Sequence, residues 1–258
     1  MIISTHELAR ITSDEKTLTI DTRSFAEYAA GHIPGAVNLP LFSFHWSDSS
    51  RVGVASFAQQ TARLLGMAGV DSSMRVIFYE NDSGMLAARG VWLLTYLAHP
   101  NTSMLDGGLN KWRSEGRPLE KRTRPFRPLR FESATSEDVL AGFEYLRDRL
   151  GKITLIDARS SEEYDGTVIR AARGGHIPGA ININWEENLT AAGVFADTKT
   201  LSKMYDIPRD AEIVTYCQGA YRAANSFVAL RMAGFERVRV YLGSWGEWGS
   251  MLDLPISS

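Results

Sequence analysis

The chain holds a single cysteine, Cys217, among 258 residues. One thiol excludes an internal disulfide, and with no Cys/His cluster it also argues against a structural zinc site. No uninterrupted apolar run reaches the length that crosses a bilayer, and the opening segment "MIISTHELAR" has no charged start followed by an apolar stretch. The expected address is therefore a reducing cytoplasm, where a free thiol persists and is available for nucleophilic or redox work. Charge of one sign is also missing: 28 Lys and Arg against 30 Asp and Glu give a formal net charge of −2. No general basic field exists to hold nucleic acid or an anionic membrane, and neither is expected as a partner. No Gly-rich loop ending in Lys-Ser or Lys-Thr is present to cradle a nucleotide, so no cofactor and no metal are expected.

What is present is a repeat. "TIDTRSFAEYAAGHIPGAVNLPL" (19–41) returns as "LIDARSSEEYDGTVIRAARGGHIPGAININW" (155–185), with eight extra residues before the second "GHIPGA". "RVIFY" (75–79) is answered by "EIVTY" (212–216), and "DGGLNKW" (106–112) by "LGSWGEW" (242–248). Ordered blocks spaced by half a chain mean two copies of one domain. Short β-branched runs ("TLTI", "RVIFY", "ITLID", "EIVTY", "RVRVY") alternate with helical patterns ("GMLAARGVWLLTYL", "RAANSFVALRM"). That alternation predicts, in each copy, an α/β domain with a mostly parallel sheet flanked by helices. In the last helix Ala223, Phe227 and Leu230 share a face, and Gly234 is the expected C-cap. The copies are expected at 1–118 and 134–258, separated by a Pro- and Arg-rich linker at 119–133.

Cys217 follows a strand ending at Tyr216 and precedes a helix expected to start near Ala223. This places it at the carboxyl edge of a sheet, where α/β proteins put their sites. Backbone amides of the loop "CQGAYR" and the guanidinium of Arg222 would surround the sulfur with positive potential and favour a thiolate. Against this stands the usual fate of a free cysteine as a small buried hydrophobe. His32 and His176 occur in both copies and are expected to fix the Gly-His-Ile-Pro turn, while Trp245 and Trp248, the latter echoed by Trp112, are expected to pack beneath the loop.

The paired "GHIPGA" segments, the Asp-Ala-Arg after a strand, "GSWGEW" and the cysteine loop resemble the tandem rhodaneses, the thiosulfate sulfurtransferase family. The resemblance implies two rhodanese-like domains related by pseudo-twofold symmetry, an inactive first copy, and a second copy carrying a persulfide on Cys217. Glu80 stands in the first copy where Cys217 stands in the second, and a carboxylate cannot hold a sulfane sulfur. The loop is similar to the bacterial type that begins Cys-Gln and ends in Arg. Gly219 departs from the serine of mercaptopyruvate-using relatives, and Glu163 from the arginine that animal enzymes carry before the residue matching Tyr164.

The activity this implies is transfer of sulfane sulfur from thiosulfate to cyanide or a thiol acceptor, with Cys217 as nucleophile. The substrate-binding set is Gln218, Gly219, Ala220, Tyr221 and Arg222, with Arg159 and Arg173 as weaker members; Arg159 is as readily a structural partner of Asp157. Three alternatives stand beside it: a 3-mercaptopyruvate sulfurtransferase, a persulfide carrier to a protein acceptor, and a Cys-dependent phosphatase. The last is disfavoured by spacing. Four residues separate Cys217 from Arg222, one fewer than in the dual-specificity phosphatases of similar fold.

Overall fold

A computed structural model describes residues 1–258. Its contacts divide the chain into two units: residues 1–44, 58–136 and 189–195, and residues 45–57, 137–188 and 196–258. The first half of the chain forms β1 (Ile2–Ile3), α1 (Thr5–Ile11), β2 (Thr17–Asp21), α2 (Phe25–Ala30), β3 (Val37–Asn38), α3 (Arg51–Met67), β4 (Arg75–Tyr79), α4 (Met85–Tyr96), β5 (Thr102–Leu105) and α5 (Gly108–Ser114). The second half forms β6 (Leu140–Ala141), α6 (Phe143–Arg147), β7 (Thr154–Asp157), α7 (Ser161–Tyr164), β8 (Ala180–Asn182), α8 (Thr198–Met204), β9 (Ile213–Tyr216), α9 (Tyr221–Met232), β10 (Val238–Tyr241) and α10 (Ser244–Trp248).

Each half builds a five-stranded sheet, ordered β1-β5-β4-β2-β3 in one and β6-β10-β9-β7-β8 in the other. Every strand pair is parallel. The two orders are the same permutation, so the sequence repeat is a repeat of topology. Parallel strands covered on both faces need continuous apolar residues, and β4 and β9 supply them: Val76, Ile77, Phe78 and Tyr79 are buried, as are Ile213, Val214, Thr215 and Tyr216. The helix predicted from "RAANSFVALRM" buries Ala223, Phe227 and Leu230 together. It begins two residues earlier than expected, at Tyr221. Gly234 follows the C-cap Ala233 at φ +91°, the left-handed position for which glycine is suited. No helix is long and apolar enough to cross a membrane.

The units are not the contiguous blocks expected from sequence. Residues 45–57 join unit 2, where Ser49 N–H donates to Glu247 at 2.8 Å and Phe143 N–H donates to Ser49 Oγ at 2.9 Å. Residues 189–195 join unit 1, where Gly193 O accepts from Ser83 N–H at 2.8 Å and Phe195 N–H donates to Asp106 at 3.0 Å. The stretch 119–133 has no regular structure and residues 121–130 are exposed, but backbone bonds tie it down. Its backbone bridges His32 through Glu120, Leu129 N–H donates to Gly66 O at 2.8 Å, and Arg124 N–H donates to Tyr28 Oη at 3.1 Å. These bonds hold it within unit 1. The C-terminal segment repeats the device in unit 2: Ser257 bridges His176, and Trp248 Nε1 donates to Pro255 O at 2.8 Å as Trp112 Nε1 does to Pro118 O.

The repeated residues do repeated work. His32 and His176 stack on Tyr28 and Tyr164, with ring centroids 3.8 and 3.7 Å apart. Each ring Nδ1 bonds the carbonyl of its own tyrosine. Both histidines fix a turn.

Candidate active site

β9 ends on Tyr216, and its next residue, Cys217, is 2 % exposed at the carboxyl edge of the sheet. The chain then folds straight into α9, with Ala220 as N-cap at φ +64°. A non-glycine residue in that region is uncommon and costs on the order of 1 kcal/mol. Here the conformation starts a twelve-residue helix at Tyr221, four residues after the thiol.

Ser244 fastens this turn. Its Oγ accepts from the N–H of Cys217 at 3.2 Å and of Ala220 at 3.0 Å, and donates to Tyr241 O at 2.9 Å. The carbonyls of Cys217 and Gln218 accept from the amides of Trp245 and Gly246 at 2.8 and 3.0 Å. Ser244 itself sits at φ +53°. The counterpart in unit 1 is Gly108, also at φ +53°. A serine tolerates the strained position because its hydroxyl satisfies two buried amides. This corrects one expectation: the Ala220 N–H, expected to face a substrate, is bonded to Ser244.

Arg222 lies in the first turn of α9, near enough to Cys217 for the two to interact electrostatically. Burial works against its charge, but Glu163 and, behind it, Cys217 outweigh burial and raise its pKa above the ordinary guanidinium value. Glu163 is the residue that sequence reasoning missed in this role. Its two oxygens accept from Nη1 and Nη2 of Arg222 at 2.5 and 2.9 Å, a bidentate pair with Glu163 only 4 % exposed. Burial pushes the Glu163 carboxyl up, yet Arg222, with Arg170 behind it, brings it below the usual carboxylate value. The departure noted at position 163 is thus the counter-charge that holds Arg222 in place.

The other two expected arginines are engaged elsewhere. Arg159 forks onto Asp157 at 2.6–3.1 Å and donates to Gly175 O at 2.7 Å. Arg23 repeats that arrangement with Asp21 and Gly31 in the unit that lacks a thiol, which marks it as architectural. Arg173 directs Nε, Nη1 and Nη2 to the carbonyls of Trp248, Gly249, Met251 and Leu254. It ties down the segment after α10, so its N–H donors are not offered to a substrate. Two further residues reach the loop from a distance. His45 lies against Gly219, where a Cβ would meet its Cε1 at 2.4 Å, and stacks near Tyr221 with centroids 6.0 Å apart. Arg170 accepts the Gln218 side-chain amide on its carbonyl at 2.9 Å and sets its Nε 3.5 Å from Glu163.

A buried thiol at the N-terminal end of a helix, beside a carboxylate-clamped arginine, is equipped for nucleophilic attack on an anionic compound and for holding the product anion. The rhodanese-like domain model matches twice, over residues 4–115 and 143–251. The chain belongs to the rhodanese-like domain family. As a two-domain rhodanese it is 31% identical, over 99% of its length and 96% of the relative's, to the thiosulfate sulfurtransferase of Pseudomonas aeruginosa. It is 29% identical to the sulfur carrier protein TtuD of Thermus thermophilus, covering 100% of this chain and 96% of the relative. In fold it resembles the 3-mercaptopyruvate sulfotransferase SseA of Escherichia coli, with a TM-score of 0.79 and 24% identity over 95% of this chain and 98% of that one.

Proposed function

We propose that this rhodanese is a thiosulfate sulfurtransferase working by double displacement through Cys217. The observation that carries the reading is the Cys217–Arg222–Glu163 chain at the edge of β9, in a protein similar over its full length to a thiosulfate sulfurtransferase. The Cys217 thiolate attacks the outer sulfur of thiosulfate. The S–S bond breaks, its electron pair leaves on sulfite, and Cys217 keeps a persulfide. Cyanide or a thiol then attacks the outer persulfide sulfur and Cys217 departs as thiolate, so a thiolate begins and ends the cycle. Arg222 stabilises the thiolate, the persulfide anion and the departing charge. The amides of Gln218, Gly219, Tyr221 and Arg222 supply the remaining dipoles. The reaction as proposed takes place in a reducing cytoplasm, with a protein thiol among the acceptors.

Donor choice rests on Gly219. A serine there, as in the mercaptopyruvate loop, would drive its Cβ into His45, so thiosulfate is expected to be the better donor. Steady-state assays with thiosulfate and with 3-mercaptopyruvate, each with cyanide as acceptor, test this. A clear preference for mercaptopyruvate overturns the donor assignment. A second reading, sulfur delivery to a protein, draws on the full-length likeness to a sulfur carrier protein. Turnover with a protein thiol but none with cyanide would favour it.

A further inference from the structure

The ten residues from Asp165 to Gly174 stand where the first copy has only Ala29 and Ala30, and so carry the eight extra residues before the second "GHIPGA". They are not a loose loop. Val168 N–H donates to Glu162 O at 2.7 Å, Thr167 N–H donates to Asp165 at 2.9 Å, and a Cβ on Gly174 would strike Gly166 O at 2.8 Å. The segment closes on itself and presents Arg170. The backbone of Arg170 is tied to the residue after the thiol, since Gln218 Nε2 donates to Arg170 O at 2.9 Å. Its side chain, 59% exposed, stands with Nε 3.5 Å from Glu163 Oε1.

Charge accounting gives Arg170 a meaning. Glu163 already has both oxygens on Arg222, and that pair is neutral. A Cys217 thiolate or persulfide then leaves the site one negative charge in excess, which opposes an incoming anion. Arg159 is neutralised by Asp157, and Arg173 spends its donors on carbonyls. Arg170 is the cation beside the site whose carboxylate neighbour is already satisfied by another arginine. Its Nε stands 3.5 Å from that carboxylate and its side chain is 59% exposed, so the guanidinium is open to solvent and to an arriving anion.

We propose that Arg170 reads the charge of the substrate: it draws anionic sulfur compounds, both donors and acceptor thiols, toward Cys217 in preference to neutral ones of the same size. The proposal rests on the sulfurtransferase reading. The role is in encounter and binding, with bond making and breaking left to Cys217 and Arg222.

The test uses the whole protein loaded with thiosulfate and desalted, so that the persulfide is the starting state. Its second-order reaction with mercaptoacetate is compared with that of 2-mercaptoethanol, near-isosteric thiols that differ in charge, by following loss of the sulfur adduct. In Arg170→Gln the ratio of the two constants should fall about tenfold, and the KM for thiosulfate should rise by a similar factor with kcat little changed. Arg170→Lys should keep most of the ratio, and added salt should shrink it in the unaltered protein. Equal loss with both thiols, or no change in the ratio, overturns the proposal and leaves Arg170 as an anchor for Gln218. Failure of thiosulfate to load any sulfur would instead overturn the sulfurtransferase reading, and this one with it.

Discussion

In unit 1, β4 hands Glu80 to the N-terminus of α4; in unit 2, β9 hands Cys217 to the N-terminus of α9. The Glu80 carboxylate accepts from the amides of Leu86 and Ala87 at 2.6 and 3.1 Å, so the chain's own anion fills the helix N-terminus. Burial raises its pKa to about 7 despite those two bonds. In unit 2 the residue at this point is short, ends in sulfur, and has Arg222 beside it. One scaffold therefore carries either an internal anion or the thiol that the proposed mechanism uses as nucleophile. The architectural residues do not change between them: Asp21–Arg23 matches Asp157–Arg159, and Tyr79 Oη accepts from Ile33 N–H as Tyr216 Oη does from Ile177 N–H. What changes is the cysteine, the Arg222–Glu163 pair, Ser244 for Gly108, and the segment bearing Arg170.

The sharpest break removes the cation. Arg222→Ala should lower the rate of persulfide formation from thiosulfate by about two to three orders of magnitude in stopped-flow assays. It also strands Glu163 in a buried place, so denaturant unfolding should show a loss of about 3–5 kcal/mol. Next is Gly219→Ser, which forces a side chain against His45. Overpacking of this kind costs about 1–3 kcal/mol, and thiosulfate kcat/KM should fall at least about tenfold with no gain in mercaptopyruvate use unless His45 is also trimmed. Ser244→Gly gives unit 2 the residue of unit 1. It relieves the strained φ but frees two buried amides, each loss worth about 1 kcal/mol or more. Activity should fall roughly tenfold, with a net stability loss of about 1 kcal/mol.

The mildest change tests the other side. For Glu80 the folded pKa, about 7, lies above the ordinary 4.5. Below pH 4.5 the carboxyl is protonated in both states and carries no penalty. As pH rises through 7 the folded protein must ionise a buried group, and stability is lost. Glu80→Gln should therefore flatten the pH dependence of unfolding between about pH 5 and 8 and stabilise the protein at pH 8 by up to about 3 kcal/mol, with sulfurtransferase activity unchanged. A Glu80→Gln protein that keeps the wild-type slope would remove Glu80 from this account.

Much of the fold was legible because it is written twice: the blocks ending at Asp21 and Asp157, and at Tyr79 and Tyr216, fixed both sheets and their likeness. The site was legible where its residues are neighbours in the chain, as Cys217 and Arg222 are. Glu163 lies 59 residues before Arg222 and Ser244 lies 27 after Cys217, so no spacing reveals them. The start of α9 lies two residues before the expected Ala223 because Ala220, in the left-handed region, caps the helix directly after the short loop. Arg173 was illegible for the same reason of distance: the carbonyls of Trp248, Gly249, Met251 and Leu254 that take its guanidinium lie 75 or more residues on. The domain limits moved because segments 45–57 and 189–195 pack with the copy to which they do not belong in sequence.

The central claim is that sulfur is held on Cys217. Thiosulfate without an acceptor should add one sulfur atom to the intact protein, because the chain has no second cysteine to resolve a persulfide as a disulfide. Intact-protein mass spectrometry of the wild type should show that single adduct, cyanide should remove it with release of thiocyanate, and Cys217→Ser should show none. No adduct on folded wild type, or an equal adduct on Cys217→Ser, would contradict the account and return Cys217 to the role of a buried, inert thiol.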